Sequence, residues 1–232
     1  LTPPPECELP AHEARDNPEH LRRLEEEDGL RAGIEQSFLT RSASDTLAHR
    51  LKLPPERLWP ILKACRGNGA ELTTFLNQTP PPLRSRALDL LEVISAKDLR
   101  DVPAQVLLAH LQETPTPTRQ IWSDDLFVPF ILNPRIGHEQ VHPYRRLLRQ
   151  ALPLPLARKI QDNPLLLSDW VDQTIELVSS EMNPYLIPMP PRSVWSLRVA
   201  DPPSRDIFAV ALCRSLGIPA RLETIRHVPE AF

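Results

Sequence analysis

The sequence is poor in glycine, and this scarcity excludes the nucleotide-binding loops that depend on that residue. Only 6 glycines occur among 232 residues, and the closest two are Gly67 and Gly69. Neither a P-loop nor a GxGxxG dinucleotide fingerprint can be built from them. Proline, in contrast, occurs 28 times, more than twice its usual share. We therefore expect prolines to end helices and to stiffen the connections between them.

The sequence also has few cysteines, no net basic charge and no long apolar run. The three cysteines, Cys7, Cys65 and Cys213, form no CxxC pair and no metal-ligand spacing, and an odd number makes a poor disulfide framework. The net charge of −3 provides no basic field, so nucleic acid is not an implied partner. No apolar run reaches 18 residues, so no membrane span is expected. The 41% hydrophobic and 25% charged content is typical of a chain with a buried core.

The distribution of helical periods and prolines predicts three regions. Residues 1–16 are expected to form an extended leader. Residues 17–118 are expected to form a helical domain, which starts with Asn17 as a cap and Pro18 at the first helical position. The stretch TPTPTRQ, near the end of that domain, is the best linker candidate. Residues 119–232 form the third region. The predicted fold class is α+β and predominantly α, with strands only after about Arg192.

The third region is predicted to contain a helix from Pro143 (PYRRLLRQAL) and two longer helices. Residues 168–182 (SDWVDQTIELVSSEM) have an amphipathic pattern, and Ser168 is a candidate N-cap. A second helix is expected from Ser204 to Leu216, with Gly217 at its C-terminal stop. The following stretch, IPARLETIRHV, has a β-like pattern.

This second helix and the stretch after it resemble the transglutaminase-like superfamily, whose core is papain-like. The resemblance is carried by "RSLGIPAR", with Arg214, Gly217, Pro219 and Arg221 at the motif positions. In that family a nucleophilic cysteine opens the helix, where the helix dipole lowers the pKa of the thiol. The resemblance implies a partial transglutaminase-like core that is incomplete at Phe232.

The chain departs from the family at the cysteine position. An ungapped count places Pro202 there, whereas matching "SRD" to the family's "CRD" places Ser204 there, followed by Arg205 and Asp206. Neither reading supplies a thiol. Ser204 is either an N-cap or a weak nucleophile candidate, and Asp201 before Pro202 is a competing cap. Cys213 is in the last turns of the helix, where a packing role is expected.

A longer resemblance extends to a subgroup of bacterial cell-envelope proteins. It rests on "ILNPRIGHEQVHPYR" together with "SLRVADPPSRDIFAVALCRSLGIPARLE", because "SRDIF" regularly replaces the cysteine segment in that subgroup. The resemblance implies an exported, periplasmic or cell-surface location, with any signal or lipid anchor upstream of Leu1. It also implies further C-terminal domains as partners.

A second motif, HEQVH, has the form of a zinc-binding HExxH. On a helix, His138 and His142 would face the same way to hold zinc while Glu139 polarised a water. Pro143 and Gly137 argue against a helix, and Glu176 is the nearest candidate for a third ligand. The alternative is a loop between two helices. In that loop Arg135, Glu139 and Arg145 would form an ion pair or hydrogen-bonded set.

The leading hypothesis is a non-catalytic transglutaminase-like module that binds a peptide or glycan, or acts as a scaffold, without a cofactor. Three alternatives remain open. The first is an active peptidase or amidase of the same superfamily that uses Ser204 or residues beyond 232. The second is a zinc peptidase that uses His138, Glu139 and His142. The third is a helical protein-interaction domain.

Overall fold

A computed structural model of the chain describes residues 18–115 and 122–232. The predicted leader, residues 1–16, lies outside the described residues. So does the predicted domain boundary between residues 118 and 119. The described residues fall into two compact units, which divide between Phe38 and Leu39.

The first unit contains one described helix, α1 (Pro18–Gln36). Its described part begins at Pro18, and the predicted cap Asn17 lies outside the described residues. Ion pairs one turn apart run along it, with Arg22–Glu26 at 3.0 Å and Arg23–Glu19 at 2.6 Å. No residue of α1 is buried. The helix therefore has no hydrophobic core of its own, and its side chains instead form ion pairs between successive turns.

The second unit begins with short helices separated by prolines and capping residues. Thr40 caps α2, since its side chain accepts the Ala43 N–H, and Ser95 caps α6 through the Asp98 N–H. Proline occupies the first turn of α3. These helices are α2 (Arg41–Leu51), α3 (Pro55–Ala64), α4 (Gly69–Gln78), α5 (Arg84–Val93), α6 (Ala96–Asp101) and α7 (Ala104–Glu113), with 3₁₀ turns at Arg66–Asn68 and Pro81–Leu83.

The rest of the second unit adds further helices and short strands. The helices are α8 (Asp124–Phe127), α9 (Arg145–Ala151), α10 (Leu154–Asp162), α11 (Leu166–Thr174), α12 (Pro191–Leu197) and α13 (Pro202–Ser215), with a π-helix at Val128–Leu132 and a 3₁₀ turn at Ser180–Met182. The strands are β1 (Glu176–Leu177), β2 (Val199–Ala200), β3 (Ala220–Leu222) and β4 (Pro229–Ala231). Among the described residues they form two two-stranded sheets, β1 parallel to β2 and β3 antiparallel to β4.

The predominantly helical character predicted for the chain is confirmed, but three local predictions around α11 are wrong. The helix predicted at 168–182 ends at Thr174, and β1 follows it, before the residue at which strands were expected to start. The β-branched residues around Ile175 favour extended backbone. Pairing with β2 provides hydrogen-bond partners for the backbone of this stretch. Ser168 is not the cap, because α11 already begins at Leu166.

Two hydrophobic clusters form the core of the second unit. The first is built from α2 to α7 together with residues 127–141, and includes Leu58, Phe75, Leu88 and Leu107. The second runs from Tyr144 to Ala220 and has α13 at its centre. The segment 133–145 connects the two clusters. Within 18–115 and 122–232, no helix combines the length and apolar character needed to cross a membrane.

Candidate functional site

The N-terminus of α13 is the position at which the resemblance would place a nucleophile. Asp201 caps this helix: its backbone is extended and its Oδ1 accepts the Ser204 N–H at 3.2 Å. Pro202 follows at the first helical position, where the missing N–H costs no hydrogen bond. The prediction that Ser204 is the cap is therefore wrong, and Asp201 takes that role.

Ser204 is fully buried and bonded to the loop before α12. Its Oγ accepts the Met189 N–H at 2.7 Å. Among the described residues, no histidine or carboxylate side chain forms a hydrogen bond to this Oγ. A serine nucleophile requires a general base within hydrogen-bonding reach, and the arrangement around Ser204 provides none.

The loop 178–190 covers this end of α13. The Asn183 Nδ2 donates to Oδ2 of Asp201 at 3.1 Å and to the Ile187 carbonyl at 2.9 Å. Together with the Met189–Ser204 hydrogen bond, these contacts fix the loop over the first turn of the helix. Of the two positions at which the resemblance would place a cysteine, Ser204 is therefore closed by the chain itself, whereas Pro202 is exposed.

Cys213 lies near the other end of α13 and is 6% exposed. Burial raises the pKa of its thiol to about 12, against the opposing effect of the Arg214 charge. Because the thiolate is the reactive form, a thiol with this pKa is a poor nucleophile at neutral pH. Cys213 is packed in the second hydrophobic cluster, which agrees with the packing role expected from the sequence.

Arg214, a motif position, is a structural residue. Its guanidinium is buried and donates to three carbonyl oxygens, those of Ala220 at 2.8 Å, Asn133 at 2.7 Å and Arg135 at 2.8 Å. Burial lowers its pKa to about 10. The side chain thereby holds α13 against β3 and against the segment 133–135.

Gly217 ends α13, as predicted. Its φ of +80° lies in the left-handed region that favours glycine. The Gly217 N–H donates to the Arg214 carbonyl at 3.3 Å and the Ile218 N–H to the Cys213 carbonyl at 3.0 Å, the two bonds of a Schellman motif. The Trp122 Nε1 donates to the Gly217 carbonyl at 3.0 Å. "GIPAR" thus forms a helix stop followed by a strand.

The last motif positions hold the β3–β4 hairpin. The Pro219 carbonyl accepts the Phe232 N–H at 3.0 Å. Arg221 pairs with Glu230 at 2.7 Å across the strands, and its guanidinium also lies over the rings of Phe130 and Phe232. These contacts explain the motif residues through packing and hydrogen bonding.

The segment that follows the π-helix contains a buried ion pair that sequence reasoning missed. Arg135 contacts the carboxylate of Asp98 on α6 with two nitrogens, and its Nε–Oδ2 distance is 2.6 Å. The Asp98 side chain is 1% exposed and that of Arg135 is 18% exposed. Asp98 lies three residues after the cap Ser95, which is a capping pattern that the sequence shows. The sequence contains no signal for the contact with Arg135, which is 37 residues away.

Arg135, Glu139 and Arg145 were expected to form one set, and the structure separates their roles. The Glu139 carboxylate accepts the N–H groups of Ile136 at 2.9 Å and Gly137 at 2.7 Å, while its carbonyl accepts from Arg135. Arg145 is fully buried and donates to the carbonyls at the end of the π-helix, at 2.5 Å and 2.9 Å. Glu139 and Arg145 therefore satisfy backbone groups, and Asp98 is the ion-pair partner of Arg135.

The HEQVH motif does not form the helical arrangement that zinc peptidases use. Residues 137–139 form bends and residues 140–143 have no regular secondary structure, so His138 and His142 are not one helical turn apart. His138 is exposed, and the His142 carbonyl contacts the buried ring of His110 at 3.0 Å. The carboxylate of Glu139 is already engaged with backbone N–H groups. In residues 18–115 and 122–232 no group of three His, Cys, Asp or Glu side chains is arranged to hold a metal ion.

A groove of about 380 Å³ runs along α13, on the side that faces α11 and the β3–β4 hairpin. Its apolar walls include Leu167, Val171, Val210 and Ala220, and Cys213 lies at one end. The side chains of Arg205 and Asp206 also line it. This groove is the candidate binding site, because it combines concave apolar surface with a few charged groups.

Comparison of the chain with protein-family models, curated proteins and solved structures found no match. The resemblance to the transglutaminase-like superfamily therefore rests on the motif residues alone.

Proposed function

We propose that this chain is a non-catalytic, transglutaminase-like module of a bacterial envelope protein that binds a peptide in the groove along α13. The burial of Ser204 carries the proposal. Its hydroxyl accepts the Met189 N–H at 2.7 Å, and no base lies in hydrogen-bonding reach among the described residues. An acyl-transferring residue has to be open to substrate and activated, and the residue at this position is neither.

The other reactive group of α13 does not replace the missing nucleophile. Cys213 sits near the C-terminal end of the helix, where the helix dipole disfavours a thiolate, and burial raises its pKa to about 12. Arg214 and Gly217 are engaged in holding the helix and its stop. The motif residues thus support a preserved scaffold in which the chemistry is absent.

The groove supports a peptide as the ligand. Its walls are apolar, and β4 forms one side of it. Within the described residues β4 pairs only with β3, so its other edge has backbone groups that an extended peptide can pair with. A glycan is less well supported, because none of the described residues that line the groove is aromatic.

A binding experiment with a blocked groove tests the proposal. Ala209→Trp places an indole on the groove wall of α13, whereas Ala70→Trp adds the same group to an exposed position on α4. An array of random hexapeptides is probed with the wild-type chain and both variants. We expect the peptides bound by the wild type to be bound by Ala70→Trp and lost with Ala209→Trp.

The same preparations are incubated with a dansylated amine and a glutamine-containing protein. We expect no covalent incorporation by any of them. Incorporation that Ser204→Ala or Cys213→Ala abolishes would overturn the non-catalytic part of the proposal. Equal binding of the array peptides by Ala209→Trp would overturn the groove as the peptide site.

A further inference from the structure

The groove contains one carboxylate that stands apart from the other charges, that of Asp206. One face of α13 lines the groove with Asp206, Ala209, Val210 and Cys213, which recur at helical spacing. Asp206 and Cys213 are seven residues apart, or about 10 Å along the helix axis. The apolar residues between them separate the carboxylate end of the groove from the thiol end.

The other charged side chains that line the groove are paired. Arg205 contacts Asp172 of α11 at 2.9 Å, and Glu230 of β4 contacts Arg221 at 2.7 Å. The side chain of Asp206 has neither a hydrogen bond nor an ion pair with any described residue. Once the two pairs are set aside, the groove therefore carries one uncompensated negative charge.

The surroundings of Asp206 are unfavourable to that charge. The residue is partly buried, and burial raises the pKa of its carboxyl while the neighbouring Arg205 opposes this effect. A partly desolvated carboxylate gains from a cation that forms a charge-assisted hydrogen bond with it. Arg205 does not form that bond, because its guanidinium is directed to Asp172.

We propose that Asp206 selects a basic side chain, lysine or arginine, of the peptide bound in the groove; this inference rests on the proposed function. The apolar walls receive the aliphatic stem of the side chain, and the carboxylate binds its cationic end. Lysine and arginine stems commonly pack along apolar surface in this way. Asp206 is thereby a specificity-determining residue for the ligand.

Three pentapeptides with blocked ends test the inference. They share the sequence Ala-Ala-X-Ala-Ala, with X as lysine, arginine or the uncharged norleucine. Binding is followed through the amide NMR signals of Ala209, Val210 and Ala231, which line the groove. We expect at least about tenfold weaker binding of the norleucine peptide than of a basic one, the usual scale for a hydrogen bond to a charged group.

The variant Asp206→Asn is expected to abolish the difference between the peptides. The matched control is Asp169→Asn, an exposed position of α11 outside the groove, which is expected to keep it. Equal affinities for the three peptides in the wild type would overturn the selection by Asp206. If these peptides also shifted the groove signals, peptide binding itself would stand. If no peptide shifted them, the selection would again be overturned, and the hexapeptide array would decide the proposed function separately.

Discussion

Removal of the Asp98 carboxylate is expected to destabilise the second unit by about 3–5 kcal/mol, the usual cost of breaking a buried ion pair from one side. The side chain of Asp98 is 1% exposed and that of its partner Arg135 is 18% exposed, so solvent replaces little of the lost contact. Asp98→Ala leaves a guanidinium that still donates to the Glu139 carbonyl but has lost both contacts to the carboxylate. For a chain of this length the loss corresponds to a fall in Tm of roughly 6–20 °C.

A double-mutant cycle separates the ion pair from the packing of its two side chains. Asp98→Ala, Arg135→Met and the double variant are unfolded in urea and followed by circular dichroism. We expect the double variant to be less destabilised than the sum of the single variants, because it leaves no unpaired buried charge. The control is Asp101→Ala, which breaks the exposed pair with Lys97 at 2.8 Å and should cost less than about 1 kcal/mol. Additive effects in the cycle, or equal effects of Asp98→Ala and Asp101→Ala, would refute the reasoning.

Two further predictions concern buried titratable groups. In a chain whose other cysteines are replaced, Cys213 is expected to react with iodoacetamide at pH 8 far more slowly than glutathione, since its pKa is raised to about 12; rapid, saturable labelling would contradict this. His110 is fully buried, and burial followed by the Arg145 charge lowers its pKa well below 6.5. The folded state therefore keeps the His110 ring neutral, while the unfolded chain takes up a proton at this residue as the pH falls below 6.5. The contribution of His110 to the free energy of unfolding is thus complete above pH 6.5 and is lost at lower pH. Urea unfolding at pH 7.5 and 5.5 measures this loss, and we expect the folding equilibrium constant to fall by at most about tenfold per pH unit. An unchanged loss in the variant His110→Gln would show that another group causes it.

The end of α13 could be predicted from the sequence more closely than its start. The helix begins at Pro202, two residues before the expected Ser204, and the competing cap Asp201–Pro202 is the local signal for that start, because the fixed φ of proline suits the first helical position. The stop at Gly217 was predictable for the same kind of reason, since a left-handed residue is needed there and glycine adopts that conformation without strain. These features depend on local backbone geometry alone.

Features that depend on distant partners were not predictable. Asp201 and Ser204 both have a side chain suited to capping, and the sequence does not show that Met189, fifteen residues before Ser204, occupies the serine hydroxyl. The strand β1 required a partner at Val199, and without it the residues around Ile175 have a helical period as well as a β-branched composition. The Asp98–Arg135 ion pair joins α6 to a loop. No fixed sequence spacing predicts a contact of this kind.

The hydrogen bond between Ser204 and Met189 also determines what a thiol at this position would do. A cysteine at position 204 would place its sulfur in a fully buried position. Sulfur is a weak acceptor, so the Met189 N–H would lose a good partner, and burial would disfavour the thiolate there as it does at Cys213. Thiol chemistry at this helix end would therefore require displacement of the loop 178–190 and a base as well. Substitution of Ser204 alone would leave the position closed.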